Sequence, residues 1–171
     1  SKKEETKDAK GEVVFPKNVV VVPTIELAKQ IYHQALLLCD STEGSRVSIE
    51  LLGSGSASKL PTMASVDLII STPSRLMRLI ESKLIDLSLV HHLVLDEVDR
   101  LLTDEFLGQA DAILSASKDS KTRRIAFFSA TTLPNVEALA QSVLQHPIRA
   151  RIGSKNTAAD HVRQHLLYTG S

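Results

Sequence analysis

The sequence predicts an α/β protein built on a parallel sheet with helices on both faces. Two patterns carry that expectation. Short apolar runs rich in β-branched residues alternate along the chain with amphipathic stretches of helical spacing. Several of those runs, VVVV and VDLII among them, are apolar on both faces, as strands covered from both sides must be.

The chain starts without regular structure. Ser1 to Lys10 carry four Lys, two Glu and one Asp with no large apolar side chain, so residues 1–12 read as a flexible lead-in. Strands are then expected at Val19 to Val22, Val47 to Leu52, Val66 to Ile70, Leu93 to Leu95, Ile125 to Phe128 and Ile148 to Ile152. Only VSIELL and IRARI alternate polar with apolar, the habit of strands near an edge. Helices are expected on the spacings Ala28, Ile31, Ala35, Leu38; Leu76, Leu79, Ile80; Phe106, Ala110, Ile113, Leu114; and Val136, Leu139, Ala140, Val143. Thr103 followed by Asp104 and Glu105 reads as a helix start, and Pro134 suits a first helical position, where a missing N–H costs nothing.

Composition narrows the function classes. A length of 171 residues fits one domain, 43% hydrophobic residues exclude general disorder, and no apolar run approaches a membrane span or signal peptide. The single Cys39 excludes an internal disulfide framework, consistent with an intracellular chain. Twenty Lys and Arg balance twenty Asp and Glu, which argues against nucleic-acid binding driven by bulk charge.

In an open α/β sheet, ligands bind outside the carboxyl ends of the strands. The residues immediately after the runs are Pro23-Thr24-Ile25-Glu26, Ser71-Thr72-Pro73-Ser74-Arg75, Asp96-Glu97-Val98-Asp99 and Ser129-Ala130-Thr131. Four strands therefore deliver hydroxyls, carboxylates and an arginine to one rim. A carboxylate ending an apolar strand can hold Mg²⁺ through water, and its neighbour can deprotonate an attacking water. The competing reading makes these acids ordinary first-turn charges of a helix. DEVD is also a protease recognition string, but it comes directly after a strand expected to be buried. Singly, SAT and Thr72-Pro73 could each be a mere turn.

Together and in order, PTxELA, TPxR, DExD and SAT resemble the first RecA-like domain of the DEAD-box RNA helicases, over nearly everything from Val19 to the end. That resemblance implies a RecA-like, P-loop NTPase type of sheet. It implies ATP and Mg²⁺ as cofactors, with Asp96 holding the metal through water and Glu97 activating the hydrolytic water. Asp99, Ser129, Ala130 and Thr131 would then link nucleotide state to RNA binding. Pro23, Thr24, Glu26, Thr72, Pro73, Ser74 and Arg75 would contact the RNA sugar-phosphate backbone without reading sequence, helped by helix N-termini at Pro23 and Pro73. A loop at Gly53 matches a glycine-containing RNA contact of the family. A second RecA-like domain in cis and a protein cofactor are the further partners implied, with no membrane.

Three residues depart from the family pattern: Ile25 for Arg, Val98 for the small third residue of DEAD, and Ser74 for Gly. The phosphate-cradling G-x-x-x-x-G-K-[ST] is expected upstream of PTIELA, and the chain starts after it. Gly53 to Leu60 is a near miss that lacks the second glycine and the hydroxyl. The expectation is thus a first domain over 13–153 truncated at its N-terminal side, then a linker and the start of a second domain over 154–171, where Val162 to Tyr168 resembles an opening strand. The run IGSKNTAADHVRQHLLYTGS narrows the resemblance to a subfamily acting in small-subunit ribosomal RNA maturation, hence nucleus and nucleolus, with a mitochondrial DEAD-box protein as competitor.

Other residues are expected to be structural. His161 and His165 lack further zinc ligands, Cys39 suits helix packing, and His91, His92, Arg123 and Arg124 precede strands at the wrong edge, the arginines as a solvated pair. The leading functional reading is an ATP-dependent RNA helicase whose 171-residue piece is inactive alone. The alternative is a noncatalytic RNA- or protein-binding module of the same fold.

Overall fold

A computed structural model describes residues 13–40, 47–53, 66–118, 120, 122–131 and 133–152. The expectations for the lead-in 1–12, most of the Gly53 to Leu60 loop, Gly153, the segment 154–171, and His161 and His165 lie outside the described residues. The elements are β1 (Asn18–Val21), α1 (Ile25–Asp40), β2 (Ile49–Leu52), β3 (Leu68–Ser71), α2 (Pro73–Glu81), β4 (His92–Leu95), α3 (Val98–Leu101), α4 (Leu107–Ala116), β5 (Arg124–Phe127) and α5 (Pro134–Val143).

The five strands form one sheet in the order β2-β3-β1-β4-β5, and every neighbouring pair is parallel. The register aligns the carboxyl ends: Val21 lies beside Ser71 and Leu95, Leu52 beside Ser71, and Leu95 beside Phe127. The segments leaving the carboxyl ends of the strands therefore emerge on one rim.

Alternation within each strand sorts side chains between two faces. Val19, Val21, Ile69, Leu93 and Leu95 enter a core shared with Leu76 and Leu79 of α2, Leu101 of α3, Ile113 and Leu114 of α4, and Val136 of α5. Ile70 and Ile49 enter a smaller core beneath α1, through Ala28, with Val20, Ile31, Ala35 and Cys39 packed around it. Cys39 is a packing residue, as expected.

Four expectations need correction. Ile148 to Ile152 is not a strand: Ile148 and Ile152 are 97% and 100% exposed, with no neighbouring strand among the described residues to accept them. Thr103 to Glu105 form a turn, and the helix begins at Leu107 after Phe106; the Thr103 carbonyl accepts from both Phe106 and Leu107 N–H, so Thr103 closes the turn instead of starting the helix. Leu38 is 69% exposed although its spacing predicted the buried face, because at about 3.6 residues per turn Cys39, packed on the smaller core, comes into line with Ala28 and Leu38 falls to one side. Arg123 is not one of a solvated pair: its guanidinium donates to the Leu114 carbonyl (2.8 Å) and Ser117 Oγ (2.6 Å), closing the carboxyl end of α4. Burial pushes its pKa down. Arg124 is exposed, as expected.

The opposite, amino edge holds His91 and His92, where strand order expected them. The His92 ring nitrogen donates to Asn18 Oδ1 at 2.8 Å, across the β1–β4 pair. Among the described residues no helix is long and apolar enough to cross a membrane.

Candidate functional site

The rim divides into two halves because strand order differs from chain order. Gly53 lies after β2, Thr72 to Arg75 after β3, and Pro23 to Glu26 after β1, so the RNA-type residues occupy three adjacent strands. Asp96 to Asp99 lie after β4 and Ser129 to Thr131 after β5, so the acids and the SAT segment share the other half. With strands about 4.8 Å apart, the two halves meet directly at the β1–β4 pair.

The acidic half is tightly cross-linked. Asp96 N–H continues the sheet by donating to the Val21 carbonyl (3.0 Å), and Asp96 Oδ1 accepts from Glu97 N–H at 2.8 Å. Glu97 stands at the N-cap of α3 with φ 50° and ψ 50°, the left-handed region that costs a residue with a Cβ about 1–2 kcal/mol. Strain of that kind persists where surrounding structure imposes it, and it concentrates at functional sites. The Glu97 carboxylate pairs with Arg100 (3.2 Å), and its carbonyl accepts from Arg100 and Leu101 N–H.

Thr131 Oγ1 donates to Asp99 Oδ2 at 2.6 Å, and Val98 N–H donates to the Phe128 carbonyl at 3.0 Å. Two bonds thus join DEVD to Phe128 and to the SAT segment that follows it. Ser129 Oγ stays inside its own turn and donates to the Thr131 carbonyl (2.8 Å), so only Thr131 of the two hydroxyls reaches the acids. Ala130 is exposed in that turn.

On the other half, Thr24 caps α1 by accepting from Leu27 N–H at 3.3 Å, with Glu26 exposed in the first turn. The helix begins at Ile25, so the terminus expected at Pro23 belongs to Thr24, and Pro23 is buried one residue before it. Thr72 is the N-cap of α2 with Pro73 at the first helical position, and its side chain makes no capping bond. The leading N–H groups of α2 therefore lack a side-chain acceptor, a setting that favours anions. Arg75 holds a buried Nε with no acceptor among the described residues. An orphaned donor costs about 1–3 kcal/mol until an acceptor arrives. A Cβ added at Gly53 would meet nothing within 4 Å among the described residues.

No group of three or more His, Cys, Asp or Glu among the described residues could cage a metal ion. What they offer a divalent cation is Asp96, a half-buried strand-end carboxylate with one oxygen committed to Glu97 N–H. That fits Mg²⁺, which keeps waters and takes one or two carboxylates together with phosphate oxygens.

Sequence reasoning missed two features here: the Arg100 partner of Glu97, and a hydrogen bond from Ser74 Oγ to Gln109 Oε1 (3.0 Å) that joins α2 to α4. The first was accessible as an i, i+3 pair; the second spans 35 residues and leaves no sequence signal.

The sequence pattern described as DEAD/DEAH box helicase matches residues 8–139. The chain belongs to that family. This DEAD-box family chain is 38% identical over 165 residues to the ATP-dependent RNA helicase ROK1 of Scheffersomyces stipitis, covering 91% of the chain and 29% of the relative. The ROK1 of Saccharomyces cerevisiae (strain ATCC 204508 / S288c) is 36% identical over 162 residues, covering 91% and 28%. The chain thus spans less than a third of the length of these curated relatives. Its fold is similar to a DEAD box protein from the hyperthermophile Methanococcus jannaschii, with TM-score 0.68, 25% identity, and 77% and 36% of the two chains covered. It is also similar to the yeast DEAD-box splicing factor Prp28, with TM-score 0.66, 27% identity, and 81% and 34% covered. The parallel RecA-like sheet expected from the four motifs is the observed fold.

Proposed function

We propose that this DEAD-box chain handles ATP and RNA within an ATP-dependent RNA helicase that opens short RNA duplexes locally. The observation that carries the reading is the Thr131–Asp99 hydrogen bond at 2.6 Å, which ties the acidic half of the rim to the segment after β5 while the RNA-type residues share the same rim. A binding module without hydrolysis would have no need for the Asp96-Glu97 pair of metal-holding and proton-accepting carboxylates.

In this mechanism Asp96 would hold Mg²⁺ through water, and Mg²⁺·ATP, when bound, would supply the phosphoryl group and its charge neutralisation. Glu97 accepts the proton of the attacking water. Asp99 and Thr131 carry the nucleotide-dependent change toward the RNA half, with Ser129 and Ala130 shaping the turn that presents Thr131. Thr24, Glu26, Gly53, Thr72, Pro73, Ser74 and Arg75 take the RNA backbone, through N–H groups, the threonine hydroxyls and one guanidinium, Ser74 through its N–H because its hydroxyl proton goes to Gln109. Contacts of this kind explain how a chain with zero net charge serves RNA. A second RecA-like domain in cis closes over both ligands. The resemblance of the IGSKNTAADHVRQHLLYTGS run supports a role in small-subunit ribosomal RNA maturation in the nucleolus, aided by a protein cofactor.

The test is Glu97→Gln in the full-length protein. RNA-stimulated phosphate release should fall to background while a fluorescent ATP analogue still binds, since Asp96 remains. Unchanged turnover would remove Glu97 from its role, and turnover absent from the unaltered protein would favour the module.

A further inference from the structure

We propose that Gln109 is a positioning residue that latches the first turn of α2, and with it Ser74 and Arg75, onto α4. The inference rests on the reading of Thr72 to Arg75 as an RNA contact. Ser74 stands where the family pattern has glycine, and its Oγ donates to Gln109 Oε1 at 3.0 Å. A glycine could make no such bond. The two side chains face each other across a groove between α2 and α4 whose walls also include Arg78 and Gly108.

Three observations make this contact more than incidental. First, Pro73 and Leu76 anchor only the buried side of this turn; on its exposed side Thr72 supplies no side-chain cap, Ser74 is exposed, and Arg75 Nε has no acceptor among the described residues. Second, the contact lies beside open space. A Cβ built on Gly108, next to Gln109, meets nothing within 4 Å, and the Gln109 side chain reaches Ser74 at the edge of that space. Third, α4 comes after α3, whose N-cap is Glu97, through a single turn at Thr103 to Phe106. The latch therefore fixes the RNA-binding turn to the helix pair that grows out of DEVD. Ordering exposed side chains at the moment of binding costs affinity, and holding them beforehand removes that cost.

The experiment measures binding of a fluorescent single-stranded oligouridylate to the full-length protein with a non-hydrolysable ATP analogue, across a salt series. Ser74→Ala and Gln109→Leu should each weaken binding about two- to fivefold, the worth of one exposed hydrogen bond. The double variant should be no weaker than either single one, and Ser74→Thr, which keeps a hydroxyl, should recover most of the loss. The salt slope should stay unchanged in Gln109→Leu, because no phosphate contact is lost. Gly108→Ala should leave affinity unaltered. Additive losses in the double variant, or no loss in Gln109→Leu, would overturn the latch. Arg75→Ala separates the two ideas: it should weaken binding about tenfold and flatten the salt slope. If Arg75→Ala changes nothing, the RNA reading of this turn fails and the latch fails with it; if Arg75→Ala weakens binding while Gln109→Leu does not, only the latch fails.

Discussion

Replacing Glu97 by glycine and, separately, by alanine probes whether the backbone at the centre of DEVD is strained for function. Glu97 sits at φ 50° and ψ 50°, where a Cβ costs about 1–2 kcal/mol. Both variants lose the same exposed ion pair to Arg100, worth at most about 0.5 kcal/mol. Alanine keeps the strain. Glycine removes it but loses about 0.5–1 kcal/mol through greater freedom of the unfolded chain. Taking the middle of each range, glycine should therefore exceed alanine by about 0.75 kcal/mol, whereas at an ordinary helical site it is about 1 kcal/mol worse. Thermal unfolding of the full-length variants should show this as a midpoint about 2 °C higher for Glu97→Gly than for Glu97→Ala. Both variants should lose RNA-stimulated ATP hydrolysis. An alanine variant equal to or more stable than the glycine variant would refute the argument that this position carries strain.

Thr131→Val deletes the hydroxyl that donates to Asp99, and should uncouple the halves of the rim: ATP and RNA each still bind, but RNA no longer stimulates phosphate release. Retained stimulation would sink the link. Burial raises the Glu50 pKa in edge strand β2, so the folded state holds that proton more tightly and stability falls as pH rises through the Glu50 range. Glu50→Gln should accordingly raise the urea midpoint at pH 7, with the gain vanishing as pH is lowered through that range; a gain that persists in acid would contradict the cause. Leu93→Ala, at a fully buried position in β4, should destabilise by about 2–5 kcal/mol in the same denaturation assay.

The class of fold and the membership of the rim were legible in the residues alone. Apolar runs such as Val19 to Val22 are readable because a strand buried on both faces needs apolar residues throughout, and the residues just past each run must then emerge at the carboxyl edge. Pro134 at the start of α5 and β2 at the sheet edge were legible for equally local reasons. Ile148 to Ile152 misled because alternation describes what a strand could be, while pairing requires a neighbour that only the folded sheet supplies. Arg123 misled in the same way, since its acceptors at Leu114 and Ser117 come to it only once α4 folds back along the sheet.

How the rim is divided depends on the assembled sheet. The order β2-β3-β1-β4-β5 inserts β1 between β3 and β4, so Pro23 to Glu26 join Thr72 to Arg75 and leave the acids beside SAT. Folding also settled that Thr131, not Ser129, reaches Asp99, that Glu97 is held left-handed, and that Ser74 meets Gln109 across 35 residues of chain. The physical reason is common to all of these. Hydrophobic periodicity is a local property, written every two or four residues, whereas strand order, backbone strain and single hydrogen bonds are set by which distant surfaces pack together.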